Sequence, residues 1–326
     1  MLDIKKLSEK IVAKDRRALS RAITLVESSR TDHREQAVEL VQLLHNKGRQ
    51  ALRIGLSGTP GVGKSTFIEA FGSFLTAQDL RVAVLAVDPS SARSGGSILG
   101  DKTRMDRLAR DPKAFIRPSP SQSHLGGVAR RTREAVAICE AAGFDIVLIE
   151  TVGVGQSETI VSEMADLFVL LLAPAGGDEL QGVKRGIMEM ADVILVNKAD
   201  GDLKPAAVRT CADYAGALRL LRRREQDPEG FPMAMQVSAL AETGLVQAWQ
   251  VMKDLANWRQ KAGHFQLKRA SQARFWFEED VKQGLLSVIN RSDIQKDINE
   301  MGELVFEGHL LPSTAAEKIL EKIYKL

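Results

Sequence analysis

The chain has 326 residues, 44% hydrophobic and 27% charged, enough to bury a large core and inconsistent with a disordered or low-complexity protein. Its 45 basic and 42 acidic residues nearly cancel to a formal charge of +3, so neither nucleic acid nor an anionic membrane is an expected partner. Cys139 and Cys211 lack metal-ligand spacing and read as reduced thiols; a charged N-terminus and the lack of about 18 consecutive apolar residues predict a cytoplasmic protein.

Residues 1–50 place apolar side chains at helical spacing, first Leu7, Ile11 and Val12, then Leu19, Ile23 and Val26, then Val38, Val41 and Leu44. Two or three helices are expected there, broken at Gly48-Arg49-Gln50. Short runs rich in Val, Ile and Leu then alternate with helical patterns, predicting strands at 52–57, 81–87, 145–149, 167–173, 193–196 and 234–237. That alternation predicts an α/β fold, a mostly parallel sheet covered by helices on both faces. Ligands of such sheets bind beyond the carboxyl ends of the strands.

The first strand runs into Gly58-Thr59-Pro60-Gly61-Val62-Gly63-Lys64-Ser65, with Thr66 opening a helix that extends to Ala77. Glycines at both ends of this loop permit the backbone bends that aim successive N–H groups at a phosphate, and the helix N-terminus adds partial positive charge. Lys64 would reach the β- and γ-phosphates, and the Ser65 hydroxyl would meet Mg²⁺. The second strand enters Asp88-Pro89-Ser90-Ser91 and a glycine-rich stretch ending near Asp101. The two carboxylates, Asp88 and Asp101, read as a metal-binding switch, the alternative being the caps of a surface loop. His124, before a helix over 128–142, reads as structural.

The third strand leads into Glu150-Thr151-Val152-Gly153-Val154, where a carboxylate precedes by three residues a glycine whose N–H can bond a γ-phosphate. Val154 stands where Ras-like proteins carry the water-orienting glutamine. Gln156 is a possible substitute, and slow intrinsic hydrolysis is expected. The stretch 174–186 carries Asp178, Glu179, Gln181 and Lys184 among glycines, and reads as a partner-coupling switch or as a solvated loop. Asn197-Lys198-Ala199-Asp200 ends the fifth strand. The Asp200 carboxylate can accept from N1–H and the N2 amino group of guanine, a donor pair adenine lacks. Asn197 would bond N7 and tie neighbouring loops, Lys198 would cover a base face, and Ser238-Ala239 would offer a backbone N–H to guanine O6. Arg222-Arg223-Arg224 would end a helix over 204–224 and complement its dipole. A helix over 243–262 precedes a helical tail suited to dimerisation.

These motifs, with Val87–Ser91, Gly95–Met105, Phe115–Pro120 and Gly177–Gly182, closely resemble the MeaB family of G proteins, chaperones of methylmalonyl-CoA mutase that are also catalogued as ArgK-type transport kinases. The resemblance is dense over 51–200 and weakest after Asp200. It implies a P-loop NTPase with an N-terminal helical extension (1–50), a GTPase domain (51–262) and a C-terminal dimerisation arm (263–326). It implies a homodimeric, Mg²⁺-dependent GTPase that is slow alone and stimulated by its partner, gating adenosylcobalamin loading and protecting or reactivating the mutase. By motif, Lys64 and Ser65 hold phosphate and metal, Asp88, Asp101 and Glu150 are switch carboxylates, and Asn197, Lys198 and Asp200 read guanine. The segment from Gly177 to Lys184 resembles the switch coupling nucleotide state to the mutase. Thr59 departs from the lysine of related ATPases with deviant phosphate loops. The alternatives are a kinase of a lysine/arginine/ornithine transport system, a GTPase serving a sister acyl-CoA mutase, and a nickel-inserting GTPase, against which no His or Cys cluster is available.

Overall fold

The computed structural model describes residues 2–45, 47, 50–87, 105–118, 125–151, 157–174, 185–221 and 224–324. Strands β1 (Leu52–Gly58), β2 (Val82–Val87), β3 (Ala114–Arg117), β4 (Ile146–Thr151), β5 (Leu167–Leu172), β6 (Val193–Val196) and β7 (Met233–Gln236) form one sheet in the order β3-β2-β4-β1-β5-β6-β7. Every neighbouring pair is parallel. Six of the strands lie within two residues of their expected positions. The seventh, β3, has only four residues and lies at the sheet edge, half of it incompletely buried, so its apolar run is too short to announce a strand.

Three helices come first: α1 (Ile4–Val12), α2 (Arg16–Glu27) and α3 (Thr31–Leu44). Asp3 and Asp15 start the first two by accepting backbone N–H groups of Lys6, and of Arg17 and Ala18, that the helix itself leaves unpaired. All three pack on α6 (Leu125–Ala141), which in turn covers β2 and β4. Arg34 joins Glu134 across this contact at 2.5 Å, and Arg117 joins Glu27.

The other face of the sheet carries the main core. Here α4 (Lys64–Ala77) and α10 (Leu245–Lys261) bury Phe67, Phe71, Trp249 and Met252 against Ile54, Leu56, Leu148 and Val169. Phe67 and Phe71 stack at 5.2 Å, and Trp249 meets Phe71 edge-on at 6.1 Å. Among the described residues between α4 and α10 are also α5 (Asp106–Arg110), α7 (Ser157–Ser162), α8 (Arg185–Met190) and α9 (Lys204–Arg219). Gly55 admits α7 to the sheet, since a Cβ there would lie 2.8 Å from a Val161 methyl.

The strand entries are tied by aspartates. Asp145, Asp166 and Asp192 stand just before β4, β5 and β6, and each accepts a neighbouring backbone N–H at 2.8 Å, from Arg81, Arg53 and Phe168 respectively. Two of these carboxylates are 2% exposed and need cations. Arg269 meets Asp166 at 2.6 Å, while Arg259 and Arg224 meet Asp192 at 2.6 and 2.7 Å. Arg259 also bonds Asp227 at 2.5 Å. Burial by itself would raise the Asp192 carboxyl, but Arg259, Lys268 and Arg224 override it and hold it at about 2. Arg224 does not end a helix as expected: α9 stops at Arg219, and the Arg224 guanidinium donates to Asp192 and to the carbonyls of Glu189 and Ala191 at the end of α8.

The chain forms two compact units, Met1–Arg269 and Ala270–Leu326. The division falls inside α11 (His264–Ile289), whereas the expected domain boundary at 262/263 falls in the turn before that helix. The second unit holds the rest of α11 with α12 (Ser292–Phe306) and α13 (Pro312–Tyr324), and buries Ile294 and Ala315. No helix among the described residues is long and apolar enough to cross a membrane.

Candidate functional site

The phosphate-loop sequence joins the end of central strand β1 to α4. Its glycines are there for geometry: Gly61 and Gly63 have φ of 81° and 89°, values that side chains with a Cβ rarely adopt. A Cβ on Gly63 would stand 2.9 Å from Asn197 Nδ2, and one on Gly58 would stand 2.4 Å from the Leu171 carbonyl oxygen. Helix α4 starts at Lys64 rather than Thr66, so Lys64, Ser65 and Thr66 share its first turn, where backbone N–H groups have no partner within the helix. The Lys64 ammonium donates to Gly58 O at 2.6 Å and so lies back across its own loop.

Asn197, Lys198 and Asp200 follow β6, the second strand along from β1. Asn197, 2% exposed, joins three segments: Nδ2 donates to Val62 O at 3.0 Å, and Oδ1 accepts from Ala239 N at 3.0 Å. This is the tie between loops expected from the sequence. Lys198 has φ of 57° and donates to Gly61 O at 2.8 Å, so its stem runs toward the phosphate loop. The Ser238 hydroxyl donates to Asp200 Oδ1 at 2.5 Å and accepts from Ala241 N at 3.0 Å, fixing one oxygen of the carboxylate. The Ala239 N–H is engaged by Asn197 and the Ser238 N–H by Thr243 O at 2.9 Å. A base carbonyl reaching either amide would therefore share or displace an existing bond.

Glu150 is 4% exposed and lies within β4, in register with Leu56 of β1 and Ala86 of β2. The structure thus brings together Gly58, Thr59, Pro60, Gly61, Val62, Gly63, Lys64, Ser65, Thr66, Asn197, Lys198, Asp200, Ser238 and Ala239 at one end of the sheet, with Glu150 one strand away. Asp88, Asp101, Gly153, Asp178, Glu179, Gln181 and Lys184 lie outside the described residues, as do His124 and Gln156. Among the described residues no group of three or more His, Cys, Asp or Glu is placed to hold a metal ion. Ser65 and Glu150 are the described members of the expected Mg²⁺ set.

Sequence reasoning missed the link from Arg107 to the guanine-motif side. Its guanidinium reaches Glu242 at 2.7 Å and Ser73 at 3.1 Å, joining α5 to the loop that carries Ser238. It also missed a buried hydroxyl contact, Thr151 Oγ1 to Ser57 Oγ at 3.2 Å, between β4 and β1.

A parallel sheet with a glycine-bent phosphate loop leaving its central strand and running into a helix is the fold of the P-loop nucleoside triphosphatases. A solved structure titled LAO/AO transport system kinase matches over 99% of both chains, with a TM-score of 0.77 and 34% identity. The mouse methylmalonic aciduria type A homolog, described as mitochondrial, is 48% identical over 95% of this chain and 77% of its own length. GTPase ArgK of Escherichia coli is 42% identical over 95% of this chain and 93% of its own. The family model described as methylmalonyl Co-A mutase-associated GTPase MeaB matches residues 19–293. The chain belongs to that family and is a GTPase.

Proposed function

We propose that this protein is a GTP-driven chaperone that gates adenosylcobalamin loading of methylmalonyl-CoA mutase and protects or reactivates that enzyme. The observation that carries this reading is the family match across 19–293, whose description names the mutase. Nucleotide assignment rests on the site. Asn197 and Lys198 bond directly to carbonyls of the phosphate loop, so the groups assigned to base and phosphate share one framework. The positive-φ glycines form a cradle for phosphate oxygens, with the first turn of α4 beneath it.

In this reading Lys64 and the loop amides hold the phosphates. Mg²⁺ would be held by Ser65 with Asp88, Asp101 and Glu150, and would neutralise charge developing on the phosphates as water displaces GDP from the γ-phosphoryl group. Asp200 selects guanine, Gly153 senses the γ-phosphate, and Asp178, Glu179, Gln181 and Lys184 relay nucleotide state to the mutase. The protein works as a homodimer through its C-terminal unit. On α11 the apolar residues Phe277, Val281 and Leu285 recur every fourth position and are 68%, 48% and 65% exposed, which gives the second copy an apolar stripe to cover.

The test is the GTP hydrolysis rate of the purified protein, alone and with an adenosylcobalamin-dependent methylmalonyl-CoA mutase, with complex formation followed by size exclusion in each nucleotide state. A slow basal rate that rises with the mutase, and a complex that depends on nucleotide, support the reading. Neither response with methylmalonyl-CoA mutase, but both with a sister acyl-CoA mutase, would reassign the partner. Transfer of labelled γ-phosphate to a transport binding protein would favour the kinase alternative.

A further inference from the structure

We infer that Ser57 and Thr151 are a positioning pair for GTP hydrolysis, fixing the end of β4, with Glu150, against the phosphate loop. This rests on the reading of Gly58–Ser65 as the GTP phosphate site. Ser57 is the residue before Gly58, and Thr151 is the residue after Glu150 and two before Gly153. Strands β1 and β4 are parallel neighbours in register through Leu56 and Glu150, so the two hydroxyl residues are the next step along both strands. Their oxygens are 3.2 Å apart, and the residues are 2% and 0% exposed.

The surroundings make this contact informative. Side chains alternate along a strand, so Ser57 and Thr151 share the sheet face of Gly55, Val147 and Ile149. On that face Gly55 lies against Val161, Ala165 and Phe168. Two hydroxyls in an apolar layer cost free energy unless they pair, and an Ala-Val pair would fill the same place without that cost. What the hydroxyl pair adds is direction. It couples the residue before Gly58 to the residue after Glu150. A lateral slip of β4 against β1 would break it, and would move Glu150 relative to the loop.

The pair therefore acts on the rate rather than on affinity. The phosphate-loop amides and Asp200 supply ground-state binding, whereas alignment of Glu150 matters when the γ-phosphoryl group is transferred. The experiment compares Thr151→Val, Thr151→Ser and the double variant Ser57→Ala/Thr151→Val in the full chain. It reads single-turnover GTP hydrolysis, GTP and GDP affinity, and thermal stability. Thr151→Val and the double variant are expected to slow hydrolysis about 3- to 10-fold, the range one hydrogen bond spans. Affinity should stay within about 2-fold, and Thr151→Ser should restore the rate.

The double variant leaves no unpaired hydroxyl, so its stability should match or exceed that of the parent, which separates positioning from folding. A double variant that hydrolyses GTP at the parental rate overturns the inference, and so does one whose loss is entirely in affinity. Lys64→Ala runs alongside. If it leaves nucleotide binding intact, the phosphate-site reading fails and takes the inference with it; if it abolishes binding while the Thr151 variants behave as the parent, only the inference fails.

Discussion

Arg259→Met is a demanding test of how the lower end of the sheet is held. The guanidinium is 4% exposed and donates to Asp227 Oδ1 at 2.8 and 2.5 Å, to Asp192 at 2.6 and 3.3 Å, and to Asp166 O at 3.0 Å. Methionine keeps much of the volume and removes the charge. Asp192 retains Arg224 at 2.7 Å, but among the described residues the cation left to the Asp227 carboxylate is Arg224 at 3.6 Å, so the loss falls mainly on a side chain with no solvent exposure. Leaving a buried carboxylate uncompensated costs about 3–5 kcal/mol, and that is the expected destabilisation in urea unfolding at neutral pH.

The dependence on pH sharpens this test. In the parent protein the Asp192 carboxyl is depressed from 3.8 to about 2. A depressed carboxyl stabilises the fold at pH above its unfolded value, here by roughly 2 kcal/mol, and that stabilisation disappears as pH falls from about 4 toward 2. In the variant, burial without its main cation raises the Asp192 carboxyl, so acid relieves the penalty. The stability gap should therefore narrow on acidification. A loss below about 1 kcal/mol at neutral pH, or a gap that widens in acid, would refute the argument.

Asp200→Asn should weaken GTP binding by roughly 10- to 100-fold, the worth of hydrogen bonds to a charged group, and shift preference toward xanthine nucleotides; a competition titration with GTP and XTP checks this. Gly58→Ala drives a Cβ to 2.4 Å from the Leu171 carbonyl oxygen, so the loop entrance must move. About 1–3 kcal/mol of stability should be lost, together with nucleotide affinity, and thermal unfolding with and without GDP measures both. Phe277→Glu combined with Leu285→Glu charges the exposed stripe of α11, and light scattering should then find a monomer whose first unit still binds nucleotide.

The strands were legible because parallel strands buried on both faces read as unbroken apolar runs, as in Leu167–Leu172. Strand β3 carries that signal over too few residues. The phosphate loop and Asn197–Asp200 were legible because each is a local pattern with its own chemistry. The aspartates at the strand entries were not, because their role depends on partners 24 to 113 residues away, such as Phe168 for Asp192 and Arg53 for Asp166. Arg259 and Arg269 sit among other polar residues of helical segments, and nothing local marks them as the buried ones. Ser57 and Thr151 had the same disadvantage: each stands beside a motif, and only the pairing of β1 with β4 brings their hydroxyls together.

The tie between Arg269 and Asp166 spans 103 residues, and that separation bears on how the chain is completed during synthesis. Six of the seven described strands can pair before residue 230 leaves the ribosome, yet Asp166 waits for Arg269, and Asp192, which can already meet Arg224, waits for Arg259. A fragment ending at Ala262 would carry every described strand and still leave Asp166 without Arg269 or the Lys268 ammonium that bonds its carbonyl. The last seven residues of the first unit thus work as a closing seal, and a nascent chain stalled short of them would hold a sheet already paired and still unlatched.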